Sequence, residues 1–152
     1  MGAVEAGRRT ILIAEDSEDD AEFLRLAVCR KGMEALCRFV CDGEEAIAYM
    51  RGDPPFSDRV VNPFPTVLIL DLDMPKLDGF GVMEWMAKTP GCESVKVVVW
   101  TGWSHGEVER RARKAGAGWF VNKVMGGADL AELVALMSDD SAPLGGPEPL
   151  AS

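Results

Sequence analysis

"PTVLILDLDMPKLDGF" (residues 65–80) decides the fold. The aliphatic run Val67–Leu70 stops at Asp71, with Asp73 two residues on and a proline and a glycine turn behind it. A short, continuous apolar run bounded by turn residues reads as a strand buried on both faces. Acids that close such a strand stand on its carboxyl edge, where open α/β sheets bind ligands.

The same punctuation recurs on both sides. "TILIA" (10–14) runs into Glu15 and Asp16, "VKVVVW" (95–100) into Thr101, and "GWFVN" (118–122) into Lys123. "LCRFV" (36–40) reads as one more strand. Amphipathic stretches separate them. Ala21, Leu24 and Val28 share one helical face in 17–32, with Ser17 as N-cap, Glu18, Asp19 and Asp20 at the positive end of the dipole, and Gly32 as the stop. Asp42 with Glu45, and Ser104 with Glu107, form capping-box patterns. Val82, Trp85 and Met86 cluster in a third helix. Asp129 and Glu132 cap a last one, with Leu130, Leu133, Val134 and Met137 at helical spacing.

Strands alternating with helices predict an α/β three-layer sandwich around a five-stranded parallel sheet. One domain is expected over 10–137, after an N-terminal extension (1–9) and before a tail (138–152) too poor in large apolar residues to order itself. Residues 51–65 are rich in proline and polar groups, long for a connection, and expected to form a contact surface.

Composition narrows the functions. The 152 residues carry 25 acidic against 16 basic side chains, net charge -9, which argues against nucleic-acid phosphates and anionic membranes as partners. Ile11–Ala14 is too short for a signal peptide, and no stretch approaches a membrane span, so a cytoplasmic location is expected. Cys29, Cys37, Cys41 and Cys92 lack metal-site spacing and are expected to be free, mostly buried thiols. His105 is the sole histidine, which excludes a histidine-rich metal site. Trp100, Trp103 and Trp119 read as core or site-edge residues, not a base-stacking platform.

In a parallel sheet the strand-end residues converge. Glu15, Asp16 and Asp71 would repel one another, and a hard dication such as Mg²⁺ relieves that conflict. Thr101 offers a hydroxyl and Lys123 a compact positive charge, both suited to phosphoryl oxygens. Asp71, at the centre, is the candidate nucleophile for an acyl phosphate.

Together "ILIAEDSEDD", "VLILDLDMPKLDGF", "VVVWTG" and "AGAGWFVNK" resemble the response-regulator receiver domain of two-component signalling. The resemblance implies a flavodoxin-like fold with strand order 2-1-3-4-5. It implies Asp71 as phosphoacceptor, Asp16 as direct Mg²⁺ ligand, Glu15 as a ligand through water, and the Asp73 backbone carbonyl as a third ligand, with Mn²⁺ as a substitute. It makes Thr101 and Lys123 the pair that holds the phosphoryl group, and Phe120 the aromatic switch. The implied donor is the phosphohistidine of a sensor or hybrid kinase. The implied output is altered affinity of the face built by the fourth helix, fifth strand and fifth helix for a downstream protein or a second copy. Such a domain catalyses only its own phosphorylation and dephosphorylation. "EDSEDDAEFLRLA", "DGEEAIAYMRG" and the long loop look most like stand-alone receivers of the cyanobacterial-phytochrome type.

The sequence departs from the family at several points. Val124, not proline, follows Lys123; "VMGGAD" (124–129) brings two glycines; and Phe120 lacks the commoner tyrosine's hydroxyl. Asp73 adds an acid beside the acceptor, and Trp103 stands two residues past Thr101. Both are expected to tune acyl-phosphate lifetime. Two other readings stay open. In a haloacid-dehalogenase-like phosphatase Asp71 would be nucleophile and Asp73 general acid. Against it, that nucleophile ends a first strand, and the only late acid pair, Asp139 and Asp140, lies in the expected tail. A receiver fold that only binds partners would not need the full acid, threonine and lysine set.

Overall fold

The computed structural model describes residues 9–102, 106–123, 130 and 132–135. The strands are β1 (Ile11–Ala14), β2 (Cys37–Val40), β3 (Val67–Leu70), β4 (Lys96–Thr101) and β5 (Trp119–Asn122). The helices are α1 (Glu18–Arg30), α2 (Gly43–Arg51), α3 (Gly79–Ala87) and α4 (Gly106–Lys114). Residues 130 and 132–135 are helical and are called α5. The sheet is parallel with order β2-β1-β3-β4-β5, as the resemblance implies.

Period-two alternation divides the strands between two cores. Leu12, Ala14, Leu68, Leu70, Val97 and Val99 pack with Val82, Met83 and Met86 of α3 and Ala112 of α4. Ile11, Ile13, Val67, Ile69, Val98 and Trp100 pack with Leu24, Ala27 and Val28 of α1 and with Leu130, Leu133 and Val134 of α5. Each inner strand meets a helical layer on both faces, which is why it reads as unbroken hydrophobic sequence.

The expected caps at the starts of α1 and α2 form, with one change of partner. Ser17 Oγ accepts from the Asp20 N–H at 3.2 Å. At the other end Gly32, at φ 71, donates to Cys29 O while Met33 donates to Val28 O. That is a Schellman closure, in which glycine takes the left-handed conformation at least strain. Asp42 Oδ1 accepts from the Glu45 N–H at 2.8 Å, but the Glu45 carboxylate reaches back to the Cys41 N–H at 2.7 Å, one residue before the cap. Asp78 was not foreseen as a cap; its Oδ1 accepts from Gly81 N–H at 2.9 Å and starts α3.

The thiols depart from expectation. Cys37 and Cys92 are buried, but Cys29 and Cys41 are exposed. Cys29 follows the inward Val28 and is rotated off the buried stripe, and Cys41 lies beyond the end of β2. Of segment 51–65, Arg51 closes α2 and residues 52–65 form a loop, as expected, that is tied to the body. Tyr49 Oη donates to Pro63 O at 2.9 Å, and Arg59 donates to Met50 O at 2.7 Å and to Asn62 O at 2.9 Å. Val60, 88% exposed, stands clear of these anchors. Asp129, Met137, the 138–152 tail, Ser104, His105, Trp103 and Val124 lie outside the described residues.

Gly79 couples the fold to the strand edge. Its N–H donates to Leu72 O, and an added Cβ would lie 2.7 Å from Asp71 O and 2.9 Å from Leu72 Cα. Gly→Ala in a helix ordinarily gains about 0.5–1 kcal/mol. Here the neighbours are backbone atoms that cannot step aside, and overpacking of about 1–3 kcal/mol outweighs that gain. Gly79→Ala is therefore expected to lower the urea midpoint of unfolding; an unchanged or higher midpoint would contradict the close approach.

Candidate functional site

The ladder hydrogen bonds continue past the strands and fix the first acids. Glu15 N–H donates to Val40 O at 3.0 Å, and Asp71 N–H donates to Ala14 O at 3.1 Å. Glu15 and Asp71 are each only 3% exposed, whereas Asp16 is exposed. Carboxylate oxygens of Glu15, Asp16 and Asp71 all lie within 4.8 Å of one another. Residues 15, 16 and 71 thus meet as the strand pattern predicts.

Lys123 reaches the same point from the end of β5. Its Nζ donates to Asp71 Oδ2 at 3.0 Å and to Asp20 Oδ2 at 2.7 Å. It also lies 3.0 Å from Glu15 Oε1, off the hydrogen-bond direction, so that contact is an ion pair only. The other oxygen of Asp71, Oδ1, accepts from the Asp73 N–H at 3.1 Å. Thr101 is fully buried at the end of β4, in register with Asn122. Phe120 is half-buried against the α3–α4 core, in register with Val99. Asp73 is exposed, and its backbone N–H donates to Asp71 Oδ1.

Asp20 was missed as a site residue. In sequence it reads fully as a helix-start acid, which conceals a second role. It lies five residues beyond Glu15, on the first turn of α1, so the helix start hangs over the strand edge. Trp100 was expected in the core or at the site edge; it is buried in the core, with Lys123 Nζ 5.0 Å from its ring.

Electrostatics explains why this cluster suits a cation. Burial, then the charge of Asp71, pushes the Glu15 carboxyl from its ordinary 4.5 up to about 8, against the opposing Ser17 N–H and Lys123. Burial alone would lower the pKa of Lys123, but Asp20, Asp71 and Glu15 together raise it above the ordinary lysine value. One lysine does not satisfy the acids: Glu15 Oε1 is a buried oxygen with no hydrogen-bond donor among the described residues. An oxygen-only donor set with an exposed third acid fits a hard dication that keeps several waters.

The Glu15 shift has a signed consequence. Its folded pKa is raised, so its contribution to stability is full below about 4.5 and is lost as pH rises to about 8. In chelator, Glu15→Gln is expected to lose less thermal stability than the parent across that window. Equal slopes would contradict the buried, acid-facing position of Glu15. A bound dication would favour the ionised form and flatten the parent's slope.

Fold and site together define a class: a flavodoxin-like α/β protein with a carboxylate cluster and a lysine on the carboxyl edge of its sheet. The response regulator receiver domain matches residues 11–135, and the chain belongs to that family. Rcp1 of Synechocystis sp. is 28% identical over 99 residues, 65% of this chain and 65% of Rcp1, so the match spans less than two thirds of that relative. A Mn²⁺-bound form of response regulator Rcp1 superposes with TM-score 0.70 at 22% identity, covering 91% of this chain and 99% of that one. Response regulator RPA3017, in red light signaling of R. palustris, gives TM-score 0.77 at 27% identity, covering 94% and 99%. The phosphorylated cyanobacterial phytochrome response regulator RcpA gives 0.75 at 22%, covering 91% and 99%. The subgroup expected from sequence is thus represented among the relatives, and the phosphatase reading is not favoured. Among the described residues no helix is long and apolar enough to cross a membrane.

Proposed function

We propose that this chain is a phosphorylation-dependent signalling switch whose acceptor is Asp71. The observation that carries the proposal is the pairing at one carboxylate: Lys123 on Asp71 Oδ2, with Glu15 and Asp16 within 4.8 Å. Asp71 attacks the phosphorus of a kinase phosphohistidine, the P–N bond breaks, and its electron pair leaves with the imidazole. The product is an acyl phosphate on Asp71. Glu15, Asp16 and Asp71 would hold Mg²⁺ or Mn²⁺, with the Asp73 carbonyl as a further ligand. When bound, the cation supplies charge that screens the acids from the incoming phosphoryl oxygens.

The chain's own groups do the rest. Lys123 transfers a hydrogen bond from Asp71 Oδ2 to a phosphoryl oxygen, and Thr101 turns its hydroxyl to another. Phe120 then changes its packing against the α4 side of the core. The α4–β5–α5 face changes its affinity for a downstream protein or a second copy of the chain. The partner that supplies the phosphoryl group is a sensor or hybrid histidine kinase, and the setting is cytoplasmic.

Incubation with acetyl phosphate and Mg²⁺ tests this reading by intact mass. One labile phosphoryl adduct per chain is expected, absent in chelator. No adduct, or sustained turnover of a phosphomonoester that is lost in Asp73→Asn, would contradict it. Asp73 and Trp103 are proposed to set how fast water removes the group. Asp73→Asn and Trp103→Ala should each change the adduct's half-life, and unchanged half-lives in both would refute the role.

A further inference from the structure

We propose that Asp20 is a positioning residue for Lys123, a role that rests on Asp71 being the phosphoacceptor. Asp20 Oδ2 takes the lysine ammonium at 2.7 Å, shorter than the 3.0 Å contacts to Asp71 and Glu15. Asp20 is not among the carboxylates that cluster within 4.8 Å. It therefore holds the lysine without competing for the cation. Its own backbone is fixed, because its N–H is tied to Ser17 Oγ at 3.2 Å.

The chemistry makes such an anchor useful. Of the lysine's three carboxylate contacts among the described residues, two are to groups that change in the reaction. Asp71 becomes a mixed anhydride, the acyl phosphate, and Glu15 is among the acids that would hold the cation. Asp20 is the contact that need not change. An ammonium has three donor hydrogens. One held by Asp20 leaves two to follow the charge from Asp71 Oδ2 to the phosphoryl oxygens. The Trp100 ring, 5.0 Å from Nζ, bounds the ammonium from the core side. A lysine stem carries about 2 kcal/mol of rotamer entropy, and α1 and β4 together restrict it before the donor arrives.

A plain helix-start acid predicts the opposite sign. Removing a negative charge near an anionic donor would speed its approach, with or without Lys123. Positioning predicts a slower reaction that depends on Lys123.

The experiment measures the rate of Asp71 phosphorylation against acetyl phosphate concentration, in saturating Mg²⁺, on the full chain. The variants are Asp20→Ala, Asp20→Asn, Lys123→Ala and Asp20→Ala with Lys123→Ala. Asp20→Ala is expected to lower the maximal rate roughly tenfold, with half-saturation moved by less than about twofold. Asp20→Asn keeps the shape of the helix start and one acceptor oxygen, and should fall between Asp20→Ala and the parent. In the Lys123→Ala background Asp20→Ala should change the rate by less than about twofold. A rate at or above the parent's in Asp20→Ala, or an equal loss in both backgrounds, overturns the proposal. A parent that forms no adduct overturns the acceptor reading itself, which separates the two failures.

Discussion

Asp71→Ala and Asp71→Asn are expected to form no acyl phosphate, a loss of roughly a thousandfold or more in rate. Asp71 combines burial, a lysine on Oδ2 and a backbone donor on Oδ1. Asp16 is exposed, and Glu15 lies deeper against Ser17 with its carboxyl pushed to about 8, so neither substitutes as nucleophile. Both variants should stay folded, since removing the Asp71 charge relieves repulsion on Glu15. A retained adduct in either variant, read by intact mass, would place the chemistry on another residue.

The second large effect falls on Lys123. Lys123→Ala leaves Glu15 and Asp71 buried without their cationic partner. Breaking a buried pair costs about 3–5 kcal/mol, and with the lysine side chain 19% exposed the low end, about 3 kcal/mol, is expected in chelator. Excess Mg²⁺ should restore part of it, because the same acids gain another cation. The phosphorylation rate should fall about 100-fold with Mg²⁺ saturating, since a charge aimed at the phosphoryl oxygens is gone. Thermal melts with and without Mg²⁺ check the first part and adduct kinetics the second. A variant as stable as the parent in chelator would contradict the ion pairs.

Much of this site is legible in sequence because strand ends are abrupt. Each of β1, β3 and β4 passes from apolar run to functional residue in one step, β5 reaches Lys123 just past Asn122, and parallel pairing brings those strand ends to one edge. Residues with two roles are harder to read. Asp20 reads completely as a helix-start acid, so nothing in its spacing calls for a lysine more than a hundred residues away. Glu45 reads as a capping box, yet its carboxylate bonds Cys41, because cap partners depend on how the chain enters the helix. Cys29 and Cys41 are hydrophobic by type but exposed by position. Gly79 reads as a turn residue, and only packing shows a backbone carbonyl where a Cβ would go.

The most direct test of the account is a crystal structure of the full chain with Mg²⁺ and beryllofluoride, a stable mimic of an acyl phosphate. The account predicts the beryllium on an oxygen of Asp71, Lys123 Nζ and the Thr101 hydroxyl on its fluorides, and the cation against Glu15, Asp16 and Asp71. A fluoride adduct on another side chain, or a cation apart from those three carboxylates, would contradict it.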